Sequence, residues 1–128
     1  MAIRAKRIDV SSNRVPSWFR VHPGQAFEGV FKVCDSQNGQ PVNWSEQRPL
    51  FRVYSQFVDR SVVVEVADPA RCRFEPNGIW KLRLTAEETQ AMPHGGMRFT
   101  VEHQQPSGDS RILMQGGISC CKKRSRRR

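Results

Sequence analysis

Glycine and proline recur along this chain at intervals too short for most of it to hold a helix. Pro16, Pro23-Gly24, Asn38-Gly39, Asp68-Pro69, Pro76-Asn77-Gly78, Pro93, Gly95-Gly96 and Pro106-Ser107-Gly108-Asp109 break it into short runs. Proline fixes φ and lacks an N–H, and glycine admits φ > 0, so such residues end regular elements. What lies between them alternates apolar with polar side chains, the period of a strand with one buried face.

Ile79 to Leu84 shows the pattern most clearly, with Trp80, Leu82 and Leu84 opposite Ile79, Lys81 and Arg83. Ala26 to Asp35 places Phe27, Phe31 and Val33 on one face, with Gly29 expected to mark a bulge. Asn38-Gly39 supplies the φ > 0 residues of a tight turn, and Pro41 to Trp44 resumes extended chain. Leu50 to Val58 alternates in part, Asp59-Arg60 reads as a turn, and Ser61 to Val66 is rich in β-branched residues. Met97 to His103 puts Met97, Phe99 and Val101 on one side, and Ile112 to Ser119 reads as a last strand bent at Gly116-Gly117. Ile3 to Val10 and Trp18 to Val21 are shorter candidates, divided by Ser11-Ser12-Asn13 and by Pro16, which forbids a central strand there.

The one helical signal is Thr85-Ala86-Glu87-Glu88, a capping box that Pro93 stops within a turn or two. The spacing therefore predicts an all-β sandwich of about seven to nine short antiparallel strands, with one short helical turn near residues 86–92. Its expected organisation is a basic N-terminal extension over 1–23, the sandwich over 24–119, and a Cys-Cys plus polybasic tail over 120–128.

The charge is uneven. Of the formal net +9, six positive charges fall in Lys122-Lys123-Arg124-Ser125-Arg126-Arg127-Arg128. Arg4, Lys6, Arg7, Arg14 and Arg20 face only Asp9 in the first twenty residues, which leaves residues 21–121 at −1. The basic character belongs to the ends. A terminal block of like charge is solvated unless a partner orders it. Each lysine or arginine that neutralises a phosphate releases a counterion, so such a tail suits salt-sensitive binding that does not read sequence. No aromatic is interleaved to stack on bases. Three readings stay open: contact with nucleic acid, an acidic groove on a partner, or a solvated tail.

No run approaches the roughly 18 apolar residues of a membrane span. Met1 to Arg7 is positive with no apolar stretch after it, so no secretory signal is expected there. A cytoplasmic protein, or one carried in a particle assembled in a cytoplasm, is the expectation. Cys34, Cys72, Cys120 and Cys121 lack metal-ligand spacing, and Cys34 and Cys72 are expected reduced and packed as small apolar residues. Cys120-Cys121 beside basic residues also fits a lipid-anchored tail. His22, His94 and His103 sit at turns or strand ends, Ser107 and Asp109 in a turn, and no hydrolase, zinc-protease or phosphate-loop motif is present. No catalysis, cofactor or metal is expected. Of the tryptophans, Trp80 shares its face with Leu82 and Leu84 and belongs to the core. Trp18 and Trp44 lie near strand edges and are either core or docking anchors.

Gly24-Gln25-Ala26-Phe27, Phe31-Lys32-Val33-Cys34-Asp35 and Asn38-Gly39-Gln40-Pro41-Val42 resemble the opening of small structural proteins of tailed bacteriophages. Gly78 to Thr89 resembles their strand followed by Leu-Thr-x-Glu-Glu-Thr. Pro93 to Glu102 resembles their Pro-x-Gly, aromatic, Val-Glu strand, and Gly108-Asp109 with Leu113 to Gly116 fits the end. The chain from about 24 to 118 is similar to the N-terminal domain of baseplate upper proteins. The segments on either side are outside that pattern. The resemblance implies an immunoglobulin-like β-sandwich in a virion, non-enzymatic and multimeric, docked onto other virion proteins of the tail, baseplate, neck or head. The residues expected to make contacts are Lys122, Lys123, Arg124, Arg126, Arg127 and Arg128, with Arg4, Lys6, Arg7, Trp18 and Trp44 as further docking candidates. The alternative is a nucleic-acid-binding accessory module acting through the basic ends, in contact with packaged DNA.

Overall fold

In the first hairpin, the residues after Val10 cannot stay flat. Ser12 and Asn13 both take positive φ, 49° and 57°, and Ser11 and Arg14 exchange backbone hydrogen bonds of 3.0 and 2.9 Å across them. This is the two-residue turn whose twist suits paired strands. Its two arms then part, and each joins a different sheet.

The computed structural model describes residues 6–55, 61–93, 95–104, 107–108 and 110–120, and of 16–18 the backbone alone. Among the described residues nine strands form two layers. One sheet has the order β1 (Lys6–Val10), β3 (Phe27–Asp35), β7 (Ile79–Leu84), β6 (Cys72–Glu75). The other has the order β2 (Arg14–Val21), β9 (Ser110–Cys120), β8 (Gly95–Gln104), β4 (Pro49–Tyr54), β5 (Val62–Val66). The expected all-β sandwich is present, but not with antiparallel strands throughout. The β1–β3 and β2–β9 ladders are parallel. Alternation has period 2 in either direction, so it carries no information about strand polarity. The splitting of the β1–β2 hairpin between layers is what sets it. The segment set apart as an extension over 1–23 supplies one strand to each sheet.

Pro16 lies within β2, which is tolerated because β2 is an edge strand and its register shifts between Arg14 and Trp18. Gly29 does not mark a bulge, since pairing runs unbroken from Phe27–Leu84 to Lys32–Ile79. A Cβ there would sit 2.6 Å from the Phe31 ring and 3.0 Å from the Phe27 ring. Glycine is needed for ring packing. Along β9 the register shifts opposite Val101–Glu102 in the β8 ladder, and between Gln115 and Gly117 in the β2 ladder. The Asp59-Arg60 turn lies outside the described residues.

The inward faces meet around Trp80, which is fully buried and stacks on Phe31 at 4.9 Å. Its ring also lies 6.1 Å from both Phe51 and Phe99 of the opposite sheet. Phe19 adds a 5.2 Å contact to Phe99 and Val33, Val53, Leu82, Leu84, Met97, Val101, Met114 and Ile118 fill the rest. Close aromatic pairs of this kind add to plain area burial. Helix α1 (Ala86–Ala91) then carries the chain from β7 across to β8. Thr85 accepts from the Glu88 N–H at 3.1 Å while the Glu88 carboxylate accepts from the Thr85 N–H at 2.8 Å. The capping box is complete, as its sequence requires. Thr89 Oγ1 donates to the Gln25 carbonyl at 2.9 Å, which ties the helix to the loop before β3.

Candidate docking surfaces

Each sheet turns one face to solvent, and the two faces differ. On the four-stranded sheet, the alternation that buries Trp80 and Leu82 sends Lys81 and Arg83 outward beside Glu28, Lys32, Arg73 and Glu75. Ion pairs lace this face: Arg73–Glu75 at 2.8 Å, Lys81–Glu75 at 3.3 Å, Arg83–Glu28 at 3.9 Å and Arg7–Asp9 at 3.0 Å. A cleft of about 340 Å³ opens among Glu28, Arg71, Arg73, Lys81 and Arg83. The hydrogen bond from Arg73, with Lys81 nearby, holds the Glu75 carboxyl below the usual carboxylate range. Arg71 is more firmly placed. It donates to Glu88 at 2.6 Å, the same carboxylate oxygen that caps α1, and this contact raises its guanidinium pKa. Exposed pairs of this kind contribute little each, about 0–1 kcal/mol.

The five-stranded sheet presents a different surface. Met97, Phe99 and Val101 of β8 point inward, so Arg98, Thr100 and Glu102 point out. They line a cleft of about 680 Å³ with Tyr54, Ser55, Ile112 and Gln115. Thr100 and Glu102 are only 8% and 6% exposed, although they face away from the core. Thr100 Oγ1 donates to Glu102 Oε2 at 3.0 Å, and Arg52 reaches the same oxygen at 3.7 Å. Arg52 is held mainly by Glu65 at 2.6 Å, the contact that raises its pKa. Val62, paired with Tyr54, and Ile112, paired with Glu102, are 47% and 40% exposed on this side. The sandwich is closed along one side by the β1–β2 hairpin, which leaves β5 and β6 as the edges of the other.

This two-layer arrangement has a counterpart among solved structures. The fold is similar to that of the N-terminal domain of phage TP901-1 ORF48. The superposition has a TM-score of 0.54 at 18% identity, over 94% of this chain and 98% of that one. The likeness is therefore one of fold, spanning nearly the whole of both chains. No family model matches the chain, and no curated protein matches it. The likeness in fold covers more of the chain than residues 24–118, whose sequence suggested a resemblance.

Of the contact and docking residues singled out from sequence, Lys6, Arg7 and Trp44 have described side chains. Lys6 and Arg7 are exposed on edge strand β1, with Arg7 held by Asp9. Trp44 is half-buried and packs its ring against Phe74 at 5.3 Å, edge to face, as a cover over the core. The Trp18 backbone pairs with Gly117 on edge strand β2; its side chain lies outside the described residues. So do Arg4 and all of Lys122, Lys123, Arg124, Arg126, Arg127 and Arg128, together with Cys121 and His94. Cys34, Cys72 and Cys120 are buried thiols. Burial pushes the Cys72 thiol up to about 11, which keeps it protonated at neutral pH. His103 Nδ1 accepts from the Arg48 N–H at 3.0 Å. Among the described residues no cluster of histidine, cysteine or carboxylate could hold a metal, and no helix is long and apolar enough to cross a membrane.

Arg98, Thr100, Glu102 and Ile112 were missed. Their signal was the polar half of an alternating strand, which looks the same whether it faces water or a partner. An acid and a base four residues apart around a threonine is the only hint that the sequence offers.

Proposed function

We propose that this chain is a non-enzymatic structural module of a tailed-phage virion that docks onto neighbouring subunits. The observation that carries the reading is the fold likeness to a phage protein's N-terminal domain over 94% of the chain. Sequence supports it independently, because the strand and cap segments that resemble baseplate upper proteins fall on β3, β7, α1 and β8. The surface is suited to the role. The cleft of the five-stranded sheet offers half-hidden polar groups and exposed aliphatics, and β5 offers an edge of valines that a partner strand can extend. The baseplate is the location that the resemblance favours.

The test is composition of the particle. Virions purified on a density gradient, washed in high salt and analysed by mass spectrometry are expected to contain this chain at a fixed ratio to the major tail proteins. Finding it only in the lysate supernatant would overturn the reading. A second reading, nucleic-acid binding through the basic ends, rests on the six positive charges among residues 122–128. It is separable, since deleting those residues would abolish duplex binding at low salt and leave incorporation into particles intact.

A further inference from the structure

We propose that the outer face of the five-stranded sheet is a twofold interface between two copies of this chain. Glu102 is 6% exposed, and both of its contacts among the described residues, Thr100 and Arg52, fall on Oε2. A carboxylate with so little exposure gains from a further charged donor that reaches it. Arg98 sits on the same face of the same strand, exposed, with no ion pair among the described residues. The two are four residues apart along β8, about 13 Å at the strand rise of about 3.3 Å per residue. Within one copy they do not pair.

Between two copies they can. A twofold axis lying in the face and crossing the strands at Thr100 sets a second sheet antiparallel on the first. Arg98 of each copy then stands over Glu102 of the other, one contact made twice, as an isologous interface requires. The residues on the level of the axis do not oppose this. Arg52 is already neutralised by Glu65 at 2.6 Å. The same stacking covers Val62 and Ile112, the exposed large hydrophobics among the described residues, both on this side. The opposite face, with its ion pairs made within the chain, lacks this self-complementary arrangement. A different subunit would need its own acid and base at matching spacing; a second copy has them by symmetry. A single sheet face is small beside the about 800 Å² per partner of stable complexes, so the dimer is expected to depend on concentration.

This inference is independent of the virion reading, because self-association is measured in solution. Sedimentation velocity over a concentration series is expected to show the wild-type full chain passing from monomer to dimer. Arg98→Glu and Ile112→Lys, both at exposed positions, are expected to remain monomeric while keeping the wild-type circular dichroism. An equimolar mixture of Arg98→Glu with Glu102→Arg is expected to dimerise, since each acid again meets a base, while neither alone does. A wild type that stays monomeric throughout overturns the proposal, as do Arg98→Glu and Ile112→Lys variants that dimerise normally. If Glu102→Arg folds and the mixture remains monomeric, the Arg98–Glu102 pairing is wrong. If it fails to fold, the two exposed variants decide.

Discussion

At the scale of single residues, packing around Trp80 decides what substitutions cost. Gly29 shows it most sharply. In an unobstructed strand a glycine is a weakness that alanine would correct. Here the added methyl would lie 2.6 Å from Phe31, a ring already stacked on Trp80. Gly29→Ala is therefore expected to destabilise by about 1–3 kcal/mol, the cost of overpacking a filled core, as read from the urea midpoint. Cys72 gives a test in pH. Its folded pKa is raised by burial from 9.0 to about 11, so the native state holds its proton where the unfolded chain has lost it. The contribution is fully present below the unfolded value and is lost as pH rises from 9 toward 11. Urea unfolding at pH 8 and pH 10.5 should show a drop in stability that is smaller in Cys72→Ala. A Cys72 thiol that reacts with iodoacetamide in the native protein at pH 8 would contradict this. Trp80 was legible as core because Leu82 and Leu84 share its face. Gly29 was misread because a bulge and a ring contact leave the same mark in a sequence.

Among elements, the short helix and the edge strands were not equally readable. The capping box announced α1 because both of its hydrogen bonds are local, three residues apart. Its coupling to Arg71 was invisible, because that contact spans seventeen positions. Thr85→Ala is expected to cost about 1 kcal/mol, the ordinary worth of an N-cap. Since Glu88 both returns the cap and holds Arg71, a double-mutant cycle of Thr85→Ala with Glu88→Ala should be non-additive by about 0.5–1 kcal/mol in thermal or chemical unfolding. Additive losses would mean that the two halves of the box act separately. Strand existence was legible from alternation in β3, β4, β7 and β8. Pairing direction was not, because β1 and β2 gain their parallel partners from a hairpin that splits between layers. Pro16 pointed correctly away from a central strand, yet β2 still forms around it, at the edge and with a shifted register.

For the whole molecule, the charge is segregated: residues 21–121 are near neutral and the last seven carry six positive charges. If the C-terminal block meets phosphates, duplex binding should fall with salt at a log–log slope of about −5, and removal of residues 122–128 should flatten it. A slope unchanged by that deletion would place the contact elsewhere. The docking face proposed on the five-stranded sheet belongs to this scale too, because it exists only once β9, β8, β4 and β5 are side by side. Only their spacing marks Arg98 and Glu102 in the sequence, and the pairing proposed for them needs two assembled sheets. The central claim, that this sandwich is a built-in component of a phage particle, is tested most directly by an electron cryo-microscopy map of the intact virion with the two-sheet fold docked into it. The account predicts density for the two sheets at a defined position in the tail or baseplate, with the five-stranded face or the β5 edge against a neighbouring subunit. A map in which every protein density is accounted for by other chains would contradict it.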